Sequence, residues 1–198
     1  MYSEVSTEGE DVLITRCLQG DPDSFEPLVV RYYRPLFRVA TRMLDDPEDA
    51  RDATQTAFLK AYQALASFDR QRQFFSWICR ILVNDCLNVI RARRPSQPLD
   101  DTLADPPADT ADPVQADELR RRVRHALLEL TPEQREVVVL RHFAEMSYEQ
   151  AAVVLGIEEK TVKSRLYSAR QRLCELLAAE RIERNASTRR DRPVAARP

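Results

Sequence analysis

The side-chain types most suited to chemistry on a nucleic acid lie between Ser147 and Arg170, in the sequence SYEQAAVVLGIEEKTVKSRLYSAR. Ser147 and Gln150 have the spacing of a capping box, the reciprocal hydrogen-bonding pair that begins many helices. Gly156 is suited to ending that helix because glycine adopts left-handed backbone angles without steric cost. The segment therefore predicts a helix, a tight turn and a second helix.

The second of these helices, from about Lys160, has two chemically different faces. At about 100° per residue, its apolar stripe comprises Val162, Leu166, Ala169 and Leu173. The opposite face displays Lys160, Lys163, Ser164 and Tyr167. Such side chains suit phosphates and base edges in a major groove, whereas Arg165 and Arg170 are expected to contact phosphate. The segment predicts a helix-turn-helix that reads DNA; the alternative is an amphipathic hairpin with solvated lysines.

Composition excludes several other functions. The chain of 198 residues has a formal net charge of −2, so a nucleic-acid surface must be local rather than a uniform basic coat. Its three glycines leave no glycine-rich phosphate loop, and its two histidines supply no evident set of catalytic residues. No apolar run approaches the roughly 20 residues that cross a bilayer. We expect a cytoplasmic protein, not inserted in a membrane, with no small-molecule substrate, no cofactor and no enzymatic activity.

The four cysteines do not have the spacing of a metal or redox site. They are Cys17, Cys79, Cys86 and Cys174, and none belongs to a Cys-x-x-Cys pair. Buried, reduced thiols are the interpretation we favour, and a metal site or redox switch is the alternative.

A proline-rich acidic segment divides the chain into two halves. Residues Pro95–Leu119 contain five prolines and seven acidic side chains, without lysine or arginine. This composition prevents regular helix and favours extension. Both flanks have helical periodicity and almost no strand signal. We therefore predict an all-α protein: a helical domain at 1–94, an acidic flexible linker at 95–118, a helix-turn-helix domain at 119–179 and a basic disordered tail at 180–198.

In the N-terminal half, a predicted helix at Asp49–Ala66 has one face of small side chains and one polar face. The small-residue stripe comprises Ala50, Ala53, Ala57 and Ala61, which permits close packing on a neighbouring helix. The reverse face carries Asp52, Gln55, Thr56, Leu59 and Gln63. A leucine at the centre of a polar face is suited to docking a partner, although isolated exposed leucines are ordinary.

The next predicted helix, Phe74–Arg94, combines aromatic rings, asparagines and arginines. Phe74, Phe75 and Trp77 crowd its start, and Asn84 and Asn88 lie one turn apart. Aromatic rings beside arginines can stack and hold unpaired bases. The alternative, favoured for Trp77, is that these rings belong to the core.

The order of these segments resembles a known family. In order along the chain, the segments are DDPEDARDATQTAFLKAY, FDRQRQFFSWICRILVNDCLN, the acidic linker and LTPEQREVVVLRHFAEMSYEQAAVVLGIEEKTVKSRLYSARQRL. This arrangement closely resembles the extracytoplasmic-function group of bacterial sigma factors over roughly Phe25–Leu176. The resemblance implies a stress-response promoter-specificity subunit that binds core RNA polymerase and promoter DNA, and that an anti-sigma factor often holds inactive.

The resemblance also implies roles for individual residues. The core polymerase would bind Asp49, Asp52, Gln55, Thr56 and Leu59. The −10 element's extruded base would be captured by the loop from Phe68 to Gln73 and by Phe68, Arg80, Asn84 and Asn88. The −35 element would be read by Lys160, Lys163, Ser164, Arg165, Tyr167 and Arg170. The linker would enter the polymerase's active-site and RNA-exit channels.

Two other classes of protein share part of this pattern. A LuxR-type regulator has a similar Thr-Val-Lys segment in its reading helix, but the N-terminal half shows no receiver or ligand domain. An enzyme acting on nucleic acid would need an acidic metal cluster in a catalytic motif, which the sequence lacks. Transcription with purified core polymerase separates these classes, because a regulator does not replace the resident sigma factor.

Overall fold

The computed structural model describes residues 9–92 and 113–190. It describes side chains for all of these residues except 113–118, 120 and 179–190. Most of the predicted linker, residues 95–112, and the end of the predicted tail, residues 191–198, lie outside this part of the chain. The described residues form α-helices and short 3₁₀ turns, and the all-α prediction is confirmed.

The N-terminal half contains four α-helices. They are α1 (Glu10–Leu18), α2 (Glu26–Met43), α3 (Pro47–Gln63) and α4 (Phe74–Ala92), with 3₁₀ turns at Pro22–Phe25 and Leu65–Ser67. Asp46 caps α3 by accepting hydrogen bonds from the main-chain N–H groups of Glu48 at 2.7 Å and Asp49 at 3.3 Å. Helices α2, α3 and α4 pack on one another, and their buried apolar side chains form the core of this half.

The C-terminal half contains the other four helices of the described chain. They are α5 (Pro113–Leu128), α6 (Pro132–His142), α7 (Tyr148–Leu155) and α8 (Glu159–Arg190). The predicted capping box of Ser147 and Gln150 is present, and Thr131 and Gln134 form a second one on α6. Gly156 ends α7 with a φ of +66°, in the left-handed region that favours glycine. The helix-turn-helix prediction is confirmed.

Two predicted boundaries need correction. Helix α5 begins at Pro113 rather than near Leu119, because proline is compatible with a first helical turn and no further proline follows until Pro132. Helix α8 continues to Arg190 rather than ending near Ala179, so the first part of the predicted disordered tail is helical. Neither glycine nor proline interrupts the sequence between Ile157 and Arg192, which permits this extension.

The two halves pack against each other, which the sequence did not predict. Helix α2 contacts α5 and α6, and α4 contacts α6 and α7. The buried apolar side chains of both halves belong to one continuous cluster. Arg135, 8% exposed, lies at this junction and donates from Nη1 to the main-chain oxygen of Met43 at 2.8 Å.

Candidate nucleic-acid and protein interfaces

The first turns of α8 present the predicted DNA-reading face to solvent. Lys160, Lys163, Ser164 and Tyr167 are all exposed, and Tyr167 retains 67% of its accessible surface. Lys163 Nζ lies 2.5 Å from Glu159 Oε1 and 5.4 Å from the centre of the Tyr148 ring. The hydrogen bond that Lys163 donates to Glu159, together with the negative charge of that carboxylate, raises the pKa of Lys163. The lysine is therefore fully charged at neutral pH and held beside an aromatic ring at the start of the reading helix.

Arg165 has a different position from the one predicted. Its Nη1 lies 2.8 Å from Oε1 of Glu136, a carboxylate on α6 that is only 5% exposed. Burial raises the pKa of Glu136 to about 7, and the attraction of Arg165 offsets only part of that effect. Arg165 thus joins α6 to α8 within the domain. The expectation that it extends to a phosphate is not supported, because its guanidinium is engaged by the buried carboxyl group of Glu136.

Arg170 lies one helical turn beyond Tyr167 and is exposed. Its Nη2 lies 3.4 Å from Nε2 of His142, at the end of α6. Burial, then the positive charges of Arg170 and Arg141, lower the pKa of His142. A neutral histidine can accept a hydrogen bond from the guanidinium, which leaves the arginine's charge available to a phosphate.

The predicted two faces of α3 are confirmed. Ala50, Ala53, Ala57 and Ala61 are buried against the neighbouring helices. Asp52, Gln55, Thr56 and Leu59 are exposed on the other side, and Asp49 is half-buried beside them. Leu59 exposes 63% of its surface, more than the other large apolar side chains of the described N-terminal half. An ion pair between Lys60 and Asp85 also joins α3 to α4, in addition to the packing of the two helices.

The prediction that Phe68 helps to capture a base is not supported, because its ring is not available. Phe68 is 8% exposed. Its ring packs edge-on against Phe74, with the ring centres 5.5 Å apart, and its centre lies 5.0 Å from that of the Trp77 ring. Phe74 is buried and Trp77 is half-buried against the same core, in agreement with a structural role for these rings. The ring of Phe68 therefore supports the loop that follows it, because a ring buried against Phe74 and Trp77 is not free to stack on a base.

The remaining predicted −10 residues form one exposed ridge on α4. Arg80, Asn84 and Asn88 recur every four residues, so their side chains lie above one another on the same face. Arg91 Nη1 is 3.5 Å from Asn88 Oδ1 at the end of this ridge. An exposed row of amides and guanidinium groups offers donors and acceptors to base edges and phosphates.

A cleft of ≈ 430 Å³ lies between the start of α4 and helix α7. Its walls are Gln71, Arg72, Gln73, Ser76, Trp77 and Arg80 from one half, and Glu149, Gln150, Val153 and Val154 from the other. The hydroxyl of Ser76 is buried without a hydrogen-bond partner. The sequence predicts the loop from Phe68 to Gln73 but does not indicate that α7 lies opposite it, because that proximity is a tertiary contact.

The cysteines lie in three kinds of environment. Cys79 and Cys86 are buried in α4, and burial raises the pKa of both thiols, that of Cys86 to about 12. Cys17 is half-buried, with a pKa raised by burial, whereas Cys174 is exposed, so the expectation of burial is wrong for Cys174. Within residues 9–92 and 113–190, no cluster of three or more histidine, cysteine or acidic residues could hold a metal ion. No helix in this part of the chain is long and apolar enough to cross a membrane.

Family comparison matches both halves of this arrangement. The family model described as Sigma-70 region 2 matches residues 28–95, and the family model described as Sigma-70, region 4 matches residues 120–173. These ranges contain the α3 face, the α4 ridge and the helix-turn-helix. The chain belongs to the extracytoplasmic-function group of sigma factors. Sigma factors are promoter-specificity subunits of RNA polymerase and are not enzymes.

Curated relatives extend over nearly the whole of this sigma factor. It is 32% identical over 187 residues to the RNA polymerase sigma-H factor of Pseudomonas aeruginosa, covering 87% of this chain and 96% of the relative. It is 38% identical over 167 residues to the ECF RNA polymerase sigma factor SigM of Mycobacterium tuberculosis, covering 83% of each chain.

Solved structures of similar sigma factors agree with the fold. CnrH in complex with the cytosolic domain of CnrY has a TM-score of 0.68 and 31% identity, covering 87% of this chain and 99% of CnrH. The sigma factor RpoE of Bartonella quintana, in complex with the anti-sigma factor NepR, has a TM-score of 0.65 and 26% identity. That match covers 78% of this sigma factor and 96% of RpoE.

Proposed function

We propose that this sigma factor directs core RNA polymerase to promoters by three separate surfaces of one chain. The observation that carries the proposal is that the described chain exposes a helix-turn-helix reading face, an amide-rich ridge and a leucine-centred polar face, each on a different helix. A conventional regulator needs only the first of these. The protein would act in the cytoplasm, where the polymerase and the chromosome are.

The −35 element is assigned to α8. Lys160, Lys163, Ser164 and Tyr167 form its exposed reading face, and Arg170 contributes a phosphate contact beside it. Arg165 is assigned to holding α8 on α6 through Glu136, and so to orienting the reading face rather than touching DNA. Ser168, the exposed residue directly after Tyr167, carries only a hydroxyl group and no positive charge. Phosphate binding by this face therefore depends chiefly on the lysines and Arg170.

The −10 element is assigned to the α4 ridge and to the loop at residues 69–73. Asn84 and Asn88 offer amide groups to the edge of an extruded base, and Arg80 offers charge to the adjacent phosphate. Asp69 orders the loop by accepting from the main-chain N–H of Gln71 at 3.0 Å and pairing with Arg72 at 3.3 Å. An ordered loop reduces the entropy that strand capture must offset.

Core polymerase is assigned to the exposed face of α3. Leu59 supplies an apolar centre, and Asp52, Gln55 and Thr56 supply a polar rim, which is the usual anatomy of a protein interface. Half-buried Asp49 completes the rim at the start of the helix. An anti-sigma factor is the expected regulator, and covering the α3 face would suffice to inactivate the protein.

The deciding experiment is transcription by purified core polymerase with and without this protein, on a library of promoter fragments, with RNA 5′ ends mapped by sequencing. The proposal requires new start sites that appear only with the protein and share −35 and −10 elements. In a parallel reaction that also contains the resident sigma factor, start sites that appear only when both proteins are present would instead identify a regulator, and the proposal would be rejected.

A further inference from the structure

Tyr148 has a fixed place beside the reading helix, although the −35 assignment does not include it. It is the first residue of α7, and the capping box of Ser147 and Gln150 fixes the main chain there, with hydrogen bonds of 2.7 and 3.1 Å. The Tyr148 ring is half-buried and packs against the apolar core. The ring therefore has a supported position before any DNA is bound.

Two cations from different helices lie over this ring. The Arg141 guanidinium of α6 is 5.3 Å from the ring centre, and the Lys163 ammonium of α8 is 5.4 Å from it. Both distances lie within about 6 Å, the range in which the negative face of an aromatic ring attracts a cation. Arg141 also donates from Nη1 to the main-chain oxygen of Met146 at 3.2 Å, in the segment that connects α6 to α7. One aromatic ring thus links α6, this connection and the reading helix.

The ring restrains Lys163 in a way that its ion pair alone does not. Lys163 pairs with Glu159 four residues earlier on α8, and the two side chains are 56% and 46% exposed. Exposed ion pairs at this spacing are weak, because water and salt screen them. The Tyr148 ring comes from a different helix, so the flexible side chain of Lys163 is held at two points that belong to two helices.

A restrained lysine differs from a mobile one in what it can recognise. An ammonium group is a compact charge on a flexible stem, and when it is free it can pair with any nearby phosphate. Sequence is read by donors held against base edges, whereas phosphate contacts carry no sequence information directly. An ammonium group that is already in place also loses less conformational entropy on binding.

We propose that Tyr148 is a positioning residue for −35 recognition, whose ring holds Lys163 in register with one base pair. The ring thereby converts a general positive charge into a sequence reader. This inference rests on the proposed assignment of the −35 element to α8.

The contact itself is tested on the free, full-length protein by nuclear magnetic resonance. The face of an aromatic ring shields protons that lie over it, so the ε-methylene protons of Lys163 should resonate upfield of those of Lys160. Lys160 is exposed three residues earlier and is the internal control. The difference should persist in Tyr148→Phe and disappear in Tyr148→Leu, with circular dichroism checking the fold of both. Equal shifts for the two lysines in the parent protein would overturn the proposal.

The role in recognition is tested by binding to the −35 duplex of a promoter identified by the transcription assay. Lys163→Ala first identifies the base pair at which this lysine discriminates. Tyr148→Leu should lower discrimination at that base pair about threefold, whereas affinity for unrelated duplex DNA should stay within about twofold of the parent. Tyr148→Phe should keep the parent's discrimination, because it keeps the ring. In the Lys163→Ala background, Tyr148→Leu should have no further effect at that base pair.

Fluorination separates the electrostatic role of the ring from its packing. Starting from Tyr148→Phe, trifluoro and pentafluoro analogues of the introduced side chain keep the ring's shape and progressively weaken its negative face. Discrimination should fall at each step, while thermal stability stays near that of Tyr148→Phe. Discrimination that does not change along this series would overturn the proposal, even if Tyr148→Leu failed to fold.

The binding results separate a failure of this proposal from a failure of the −35 assignment. An equal loss in Tyr148→Phe and Tyr148→Leu would show that the hydroxyl binds DNA directly, and the positioning role would be rejected. Unchanged discrimination in Tyr148→Leu, together with a loss in Lys163→Ala, would reject the positioning role and leave the assignment intact. No effect of Lys163→Ala at any base pair would refute the assignment, and the proposal with it.

Discussion

Arg135 of α6 donates to the main-chain oxygen of Met43, the last residue of α2, at a distance of 2.8 Å. The same guanidinium donates to the main-chain oxygens of Leu127, Leu128 and Leu130 at 2.9, 2.6 and 3.3 Å. The C-terminal ends of α2 and α5 thus converge on one buried positive charge, which satisfies carbonyl groups that a helix end leaves without partners. This residue joins the two halves of the sigma factor.

Replacing Arg135 should destabilise the protein strongly. Arg135→Ala leaves four main-chain carbonyl oxygens without this donor, three of them in buried hydrogen bonds, and we expect a loss of about 3 kcal/mol or more in the free energy of unfolding. Arg135→Lys keeps the charge but lacks the planar fork, so it should recover only part of that loss. Urea denaturation followed by circular dichroism measures both variants. A loss below about 1 kcal/mol in the alanine variant would contradict the role assigned to this side chain.

Glu136 should make stability depend on pH near neutrality. Its pKa is raised by burial to about 7 in the folded protein, above the value of the exposed side chain. The folded state therefore holds this proton more tightly, and stability from this group is lost as the pH rises from about 4.5 to about 7. The contribution is at most about 3 kcal/mol. Subtracting the pH profile of Glu136→Gln from that of the parent isolates it, and identical profiles would exclude the effect.

Leu59→Arg should weaken binding to core polymerase without altering the fold. The side chain is exposed at the centre of the α3 face, so a charge there costs little in the free protein but obstructs docking. We expect at least a tenfold loss in affinity, about 1.4 kcal/mol. Val30→Arg is the matched control, since Val30 is 49% exposed on α2. If Leu59→Arg competes for core as well as that control does, the docking face lies elsewhere.

Asn84→Ala should reduce open-complex formation with little effect on association with core. A base-edge contact worth about 1–3 kcal/mol is made only after the strands separate. A template with a pre-melted −10 region should rescue the rate only partly, because the contact is still missing. Measuring the rate on a set of −10 variants completes the test; an unchanged sequence preference would remove Asn84 from the readout.

On the reading helix, base readers and phosphate contacts should behave differently. Lys163→Ala and Tyr167→Ala should each reduce use of the cognate −35 element, with smaller effects on altered elements. Arg170→Ala should weaken binding evenly across sequences and lower its salt dependence. Affinities on a set of −35 duplexes at two salt concentrations measure both properties. Uniform behaviour of all three variants would show that this division of roles is wrong.

The local elements and the family were predictable from the sequence alone. Capping pairs such as Ser147 with Gln150, and the glycine at 156, specify where helices begin and end through contacts between near neighbours. The alanine stripe and Leu59 on α3 also follow from helical periodicity, which assigns side chains to faces without knowledge of their partners. These signals therefore assign each candidate surface to a helix before any neighbouring helix is known.

What only the tertiary structure decided is which charged and aromatic side chains are free to act. Arg165 is close to the reading face in sequence, but Glu136 lies 29 residues away along the chain and engages it. Phe68 begins the expected loop, yet its ring belongs to the core with Phe74. Gln73 and Gln150 meet across the two halves. Periodicity fixes a side chain's direction on its own helix, whereas its partner depends on how distant helices pack, and that packing is decided by the whole chain.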